Sequence, residues 1–345
     1  MKTINQNLLT RRAAMLGGLG LGAAGLLAGC GSGSPSGGSD AGASGSPSAS
    51  GSSGAGGANA VGVLPIVDVA TIYIAMTQGI FADHGLDIET TLAQGGAAIV
   101  PAVVSGSSLF GFSNLTSLII GRSRGLDLVT VAPASGSNGT VGGDYFAVVV
   151  GRDSPITDGT GLSGATVAVN TLQNINDTTL RAAVRDAGGD PSGIQYLEVA
   201  FPDMPAALDS GQVDAIAVGE PFLTIAKDQG AREVLSSYAQ PISDLTVSAY
   251  FTSRQAWEAE PETISSFQQA MAEAQAIARS DEAAVRSVLP EYTSLEPDLI
   301  ERIVLPSFPE RINEGSTQAL ADLAQEDGLL EEPVDLADLL GEGSS

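Results

Sequence analysis

Two stretches of this chain repeat one order of elements: a short helix, a Ser-Gly stop, an apolar strand and then polar residues. Pro101-Ala102-Val103-Val104-Ser105-Gly106 leads into Leu109 to Asn114, and Pro205-Ala206-Ala207-Leu208-Asp209-Ser210-Gly211 leads into Val213 to Glu220. Strands that alternate with helices make a parallel sheet wrapped by helices. A chain that runs through such a series twice is therefore an α/β protein with two related halves.

In the first half the spacing predicts strands near Val63 to Val67, Leu86 to Leu92, Leu109 to Phe112 and Leu128 to Ala132. Helices are expected near Ile72 to Phe81, Ala97 to Val104 and Leu115 to Arg122. Leu86, Ile88, Thr90 and Leu92 fall on one strand face at a period of two. In the second half strands are expected near Thr166 to Val169, Ile194 to Val199 and Val213 to Val218, with helices near Asp177 to Ala187 and Pro205 to Ser210. Two further β-prone segments, Tyr145 to Val150 and Thr246 to Phe251, bracket the second series like a pair of crossovers, which implies a hinge. After Phe251 the chain turns helical, with Ile264, Phe267, Met271, Ala274 and Ala278 on one face.

The beginning of the chain carries an address. Lys2, Arg11 and Arg12 precede a run of small and apolar residues from Ala13 to Gly29, the layout of a signal peptide. Thr10-Arg11-Arg12 resembles a twin-arginine export signal, with the general secretory route as the alternative. Leu27-Ala28-Gly29-Cys30 resembles a bacterial lipobox, which makes Cys30, the single cysteine of the chain, the site of lipidation. A lone cysteine excludes intrachain disulfides and CxxC-type metal or redox sites. Residues 30 to 60 are then the lipidated cysteine and a Gly/Ser-rich tether, whose composition behaves as a flexible coil. The formal charge of −25, made more negative by loss of the three cations of the signal, repels nucleic acid and anionic headgroups.

Tyr73-Ile74-Ala75-Met76-Thr77-Gln78-Gly79-Ile80-Phe81-Ala82-Asp83-His84-Gly85-Leu86-Asp87-Ile88-Glu89 resembles the opening signature of the solute-binding proteins for sulfonates, nitrate, taurine and thiamine-pyrimidine precursors. Gln94-Gly95-Gly96-Ala97, Ser105-Gly106 to Phe112, Leu162 to Val169, and Ala206-Ala207-Leu208 through Val218-Gly219-Glu220-Pro221 resemble the same family in the same order. The resemblance implies a two-lobed periplasmic-binding-protein fold of type II-like form, with two parallel or mixed sheets joined by a two-strand hinge. It places the first lobe at residues 61 to 150, the second at 151 to 246, and a return to the first lobe with C-terminal helices at 247 to 345. It further implies a monomer on the extracytoplasmic face, held to the membrane only by its lipid, that passes a small ligand to an ABC permease and its ATPase without a cofactor. A small organic anion or zwitterion of the sulfonate, nitrate or taurine class is the first expectation for that ligand. A thiamine-pyrimidine precursor or similar vitamin ring is the second.

Ligands of open α/β sheets sit outside the carboxyl ends of the strands. That rule selects Asp68, Thr71 and Tyr73 after the first strand, Gln94 and Gly95 after the second, and Ser113 and Asn114 after the third. In the second half it selects Thr171, Asn174, Asn176 and Asp177, then Phe201, then Glu220. Ser113, Asn114, Asn176 and Asp177 are equally good helix caps. Glu220 stands out because a carboxylate between Gly219 and Pro221 at the end of a buried strand is costly to desolvate unless it meets a donor or cation. The expectation is that Glu220→Ala and Asn176→Ala weaken ligand binding without unfolding the chain.

An enzyme is the poorer reading. His84, the only histidine, sits in an Asp-His-Gly turn away from the expected cleft, so no histidine-based triad or metal site assembles. Enzymes that resemble this family and make the thiamine pyrimidine use a cysteine-rich motif and a Schiff-base lysine. Here no cysteine follows Cys30, and Lys227 is the only lysine beyond the signal.

Overall fold

The computed structural model describes residues 59–93 and 95–344. The signal peptide, Cys30, most of the tether and Gln94 lie outside the described residues. Strands β1 (Asn59–Val63), β2 (Ile88–Leu92), β3 (Phe110–Asn114) and β4 (Leu128–Gly136) alternate with helices α1 (Ala70–Thr77), α2 (Ile80–Asp83), α3 (Gly96–Val104) and α4 (Leu115–Ser123). The second series has strands β5 (Phe146–Val150), β6 (Thr166–Val169), β7 (Gln195–Glu198), β8 (Ala215–Gly219) and β9 (Arg232–Leu235). Its helices are α5 (Ile175–Asp186), α6 (Met204–Asp209) and α7 (Phe222–Asp228). Strand β10 (Thr246–Ser253) precedes helices α8 (Arg254–Ala259), α9 (Pro261–Ser280), α10 (Glu282–Val288), α11 (Pro297–Arg302) and α12 (Glu314–Glu326).

These strands form two five-stranded sheets with orders β2-β1-β3-β10-β4 and β7-β6-β8-β5-β9. In each sheet the first three strands are parallel and the fourth runs antiparallel. That fourth strand is in both cases the one the chain enters by crossing from the other lobe, β10 in the first sheet and β5 in the second. The fold is the two-lobed α/β architecture of periplasmic binding proteins, with each lobe built on one mixed sheet. The chain crosses between the lobes at residues 137–145 and again at 236–245. Because β5 pairs with β8 from Phe146↔Gly219 to Val150↔Ala215, the boundary expected at residue 150 falls before β5 instead.

Local chemistry accounts for the other departures. The first strand ends at Val63, not Val67, since Pro65 has no N–H to give a ladder, and a 3-10 turn at Val67–Val69 leads into α1. The helix expected over Ile72 to Phe81 breaks at Gly79, whose φ of 77° is left-handed. Leu92 is 54% exposed rather than buried, because it closes the edge strand of its sheet. Gly79 has open space where a Cβ would sit, so Gly79→Ala is expected to cost only the left-handed backbone term of about 1 kcal/mol. A urea denaturation midpoint reads it.

The apolar face of α9 returns to the first lobe as its spacing requires. Phe267 is fully buried and stacks on Phe110 at 3.9 Å and Phe81 at 5.7 Å. The segment beyond α10 does not stay there. The Arg302 guanidinium pairs with both oxygens of Asp228 at 2.7 and 2.8 Å, Ser307 bridges Gly136 at the crossing, and α12 packs against both α4 and α5.

Candidate functional site

The carboxyl ends of both parallel strand sets open onto one cavity between the lobes. Its lining takes Asp68, Phe112 and Asn114 from the first lobe, Asn170, Asn176, Phe201 and Glu220 from the second, and Tyr145, Phe146, Tyr238 and Ser248 from the crossings and the strands they feed. Leu64, Ile66, Ile175 and Val247 close the apolar walls. A water centre has about 40 Å³ to move in.

Five of the residues selected from the sequence line this cavity: Asp68, Asn114, Asn176, Phe201 and Glu220. Asn114 does so while capping α4, its Oδ1 accepting from the Ser117 N–H at 2.8 Å. Asp68 is buried, and its Oδ1 accepts from the Ser135 hydroxyl at 2.6 Å and the Tyr145 hydroxyl at 3.0 Å. Burial pushes its carboxyl above the usual range, against the opposing pull of those two hydrogen bonds. Glu220 is raised for the same reason. Its carboxylate accepts from the Thr224 hydroxyl at 2.7 Å, the Thr224 N–H at 3.0 Å and the Val304 N–H at 3.1 Å, so it ties the second lobe to the segment after α11.

The structure places the other selected residues that it describes outside the lining. Thr71 and Ser113 are buried in the first lobe, Ser113 beneath the start of α3, where a Cβ on Gly96 would meet it. Tyr73 stacks on Tyr292 at 4.0 Å and its hydroxyl meets Thr90 at 3.2 Å. Asn174 and Asp177 form the capping box of α5: Asn174 accepts from the Asn176 N–H, while Asp177 accepts from the Asn174 and Gln173 N–H groups at 2.7 and 3.0 Å. Gly95 and Thr171 face each other at the lips of the cleft, where a Cβ on Gly95 would lie 3.1 Å from the Thr171 hydroxyl.

The selection missed Asn170, Tyr145, Phe146, Tyr238, Val247 and Ser248. Asn170 directly follows the strand Thr166 to Val169, and Tyr145, Val247 and Ser248 stand at the entrances of the two expected crossovers. A chain passing between two lobes must present side chains to the gap between them, which is the signal that was available. Phe146 and Tyr238 stack at 4.1 Å and form an aromatic wall with Phe201, whose ring meets that of Phe146 at 6.5 Å. Neither arginine, lysine nor histidine is among the lining residues. No group of three or more His, Cys, Asp or Glu residues among the described residues is arranged to hold a metal ion.

A family model described as NMT1/THI5 like matches residues 66–284. The formylaminopyrimidine-binding protein of Halalkalibacterium halodurans is 28% identical over 145 residues, a stretch that spans 42% of this chain and 42% of that protein. Among solved structures, the alkanesulfonate-binding protein of Xanthomonas axonopodis pv. citri, bound to MOPS, superposes with a TM-score of 0.70 at 20% identity over 82% of this chain and 97% of its own. The periplasmic nitrate-binding protein of Synechocystis superposes with a TM-score of 0.70 at 16% identity, over 83% of this chain and 86% of its own. These relatives are binding proteins.

Proposed function

The chain belongs to the NMT1/THI5-like family, and from that membership and the chemistry of its cleft we propose that it is the solute-binding component of an ABC importer for an aminopyrimidine-type ring. The lining carries this reading. It offers two buried carboxylates, three carboxamides and five aromatic rings, with no cationic side chain. A sulfonate or nitrate would enter without a countercharge and beside Asp68 and Glu220, and burying an uncompensated anion is costly. A planar heterocycle with an exocyclic amine instead stacks on the aromatic wall and gives its N–H groups to the acceptors.

The protein is exported and lipidated at Cys30, and its tether holds the lobes near a permease. Among the described residues no helix is long and apolar enough to cross a membrane. The sulfonate, nitrate and taurine class is the second reading, supported by the fold it shares with the alkanesulfonate- and nitrate-binding proteins.

A thermal-shift panel of 4-amino-5-hydroxymethyl-2-methylpyrimidine, its formylamino analogue, thiamine, taurine, alkanesulfonates and nitrate decides between them. At a hundredfold excess over its dissociation constant a ligand adds about 2.7 kcal/mol, a few degrees in melting temperature. The pyrimidines are expected to produce that shift and the anions none. A shift from a sulfonate or nitrate, with none from any pyrimidine, reverses the reading.

A further inference from the structure

Beside the cavity lies a chain of four side chains whose hydrogen-bond directions are all fixed by one backbone group. The Asn176 N–H donates to Oδ1 of Asn174 at 2.9 Å. A backbone N–H can only donate, so that atom of Asn174 is its oxygen, and the nitrogen of the same amide points the other way. Asn174 Nδ2 donates to Asn170 at 2.9 Å and Asn176 Nδ2 donates to the same Asn170 atom at 2.6 Å. The Asn170 atom is therefore its oxygen. Asn176 is left with its oxygen free, and the Tyr238 hydroxyl donates to it at 2.6 Å. Asn170 and Tyr238 line the cavity; Asn174 does not.

The consequence is a fixed polarity inside the cleft. Asn170 has spent its oxygen on two donors, and its Nδ2, which has no acceptor among the described residues, is a donor to whatever the cavity holds. Tyr238 has spent its proton on Asn176 and offers lone pairs. Ser248 is fixed the same way: the Ser135 hydroxyl gives its proton to Asp68 at 2.6 Å, so the 2.7 Å contact between Ser135 and Ser248 takes the Ser248 proton. The geometry points to Asn174, the N-cap of α5, as a positioning residue that sets the donor and acceptor pattern of the cavity through Asn170, Asn176 and Tyr238 without touching the ligand. The ligand that fits presents a ring nitrogen or carbonyl to Asn170 and N–H groups to Tyr238, Ser248 and Asp68. This rests on the pyrimidine reading above and specifies the edge by which such a ring is held.

Asn174→Asp tests it. Aspartate caps a helix as well as asparagine, so the bond from the Asn176 N–H survives, but residue 174 now accepts where it donated. The Asn170 amide must turn to donate to it, the Asn176 amide follows and donates to Tyr238, and the pattern of the cavity inverts: Asn170 presents an oxygen where it presented its donor, and Tyr238 a proton where it offered lone pairs. Titration of the full chain with 4-amino-5-hydroxymethyl-2-methylpyrimidine is expected to show at least a tenfold loss in affinity for Asn174→Asp, about one hydrogen bond, with the melting temperature nearly unchanged. Asn174→Ala loses the cap and melts lower, yet leaves Asn170 still held by Asn176, and its affinity falls less, by about threefold or under. A residue with a merely structural role gives the opposite order, alanine worse than aspartate, and that order overturns the assignment. Asn170→Asp keeps both incoming donors and removes the cavity donor directly; it too is expected to lose tenfold or more. Wild-type affinity in either aspartate variant overturns the proposal. Failure of the wild-type protein to bind overturns the pyrimidine reading instead. The relay is then read without ligand, from exchange of the Asn170 side-chain amide protons: fast where they face cavity water, protected in Asn174→Asp, and equal rates in the two proteins reject the relay.

Discussion

Replacing Glu220 by alanine is expected to destabilise the fold by about 3–5 kcal/mol. Its carboxylate accepts three hydrogen bonds, two from Thr224 and one from the Val304 N–H, and it is almost fully buried. Alanine leaves those donors without their acceptor, and each orphaned donor costs about 1–3 kcal/mol unless water replaces the oxygen. Water reaching in from the cavity offsets part of this, which sets the lower end. The Arg302–Asp228 pair also holds this segment to the second lobe, but both partners are about half exposed, so it contributes little. Glu220→Gln retains one acceptor oxygen for the Thr224 hydroxyl and Val304, misdirects only the contact with the Thr224 N–H, and is expected to cost about half as much. Chemical denaturation of the three proteins gives the order directly. A Glu220→Ala midpoint equal to that of the wild type means that Glu220 serves the ligand alone, as the sequence suggested. Its hydrogen bonds give it a structural task whether or not it meets the ligand, so affinity measured on the alanine variant must be corrected for its unfolded fraction.

That change in what Glu220→Ala should do shows where sequence reasoning ran short. Gly219-Glu220-Pro221 at the end of an apolar strand announced a carboxylate that needed partners. It could not announce that one partner is the backbone of Val304, because such a contact depends on where a distant segment crosses the hinge. The alternation of strands and helices was legible because period and breaker residues are local properties. The same locality located Asp68, Asn114, Asn176, Phe201 and Glu220, which follow strands and must lie at their carboxyl ends. Thr71 and Tyr73 were misassigned by an angular error: they sit on α1, and a helix turns side chains through 100° per residue, so nearness along the chain to Asp68 did not mean nearness to the cavity. Asn174 and Asp177 satisfied their chemistry locally, as caps, which left nothing for a ligand to complete. Tyr145, Phe146 and Tyr238 were missed because an aromatic wall drawn from two crossings exists only once both lobes are folded. Strand β9 (Arg232–Leu235) was missed because Arg-Glu-Val-Leu lies half-buried at a sheet edge and alternates too briefly to register.

The melting temperature of the protein is expected to rise, not fall, as the pH is lowered from neutral toward the ordinary carboxylate range of about 4. Asp68, Asp144, Asp177 and Glu220 all have carboxyls raised above their ordinary values, in each case chiefly because burial penalises the charged form. For an acid whose midpoint is higher in the fold than in the unfolded chain, the folded state binds more protons between the two midpoints, and stability falls as pH increases through that window. Acidification from neutral pH therefore regains stability as the pH falls through the folded midpoints. It levels only when the unfolded chain protonates, near its ordinary carboxylate range. Each carboxyl whose midpoint lies one pH unit higher in the fold contributes about 1.4 kcal/mol across its window. Protonation also relieves the self-repulsion of a chain with a formal charge of −25, which acts in the same direction. Asp158, Asp190 and Asp228 are lowered, so what they lose is lost only below the ordinary carboxylate range, and they sit at the surface, where salt screens them. The rise is read by scanning calorimetry at constant ionic strength as the pH is lowered from neutral toward about 4. Asp68→Asn should flatten part of the slope, because it removes one of the buried carboxyls and leaves the Ser135 and Tyr145 hydroxyls an oxygen to donate to. A melting temperature that declines steadily on acidification means that these carboxylates gain more from their hydrogen bonds than burial takes away. In that case Asp68 stands ready as a charged partner for a protonated ring across the pH range of the scan.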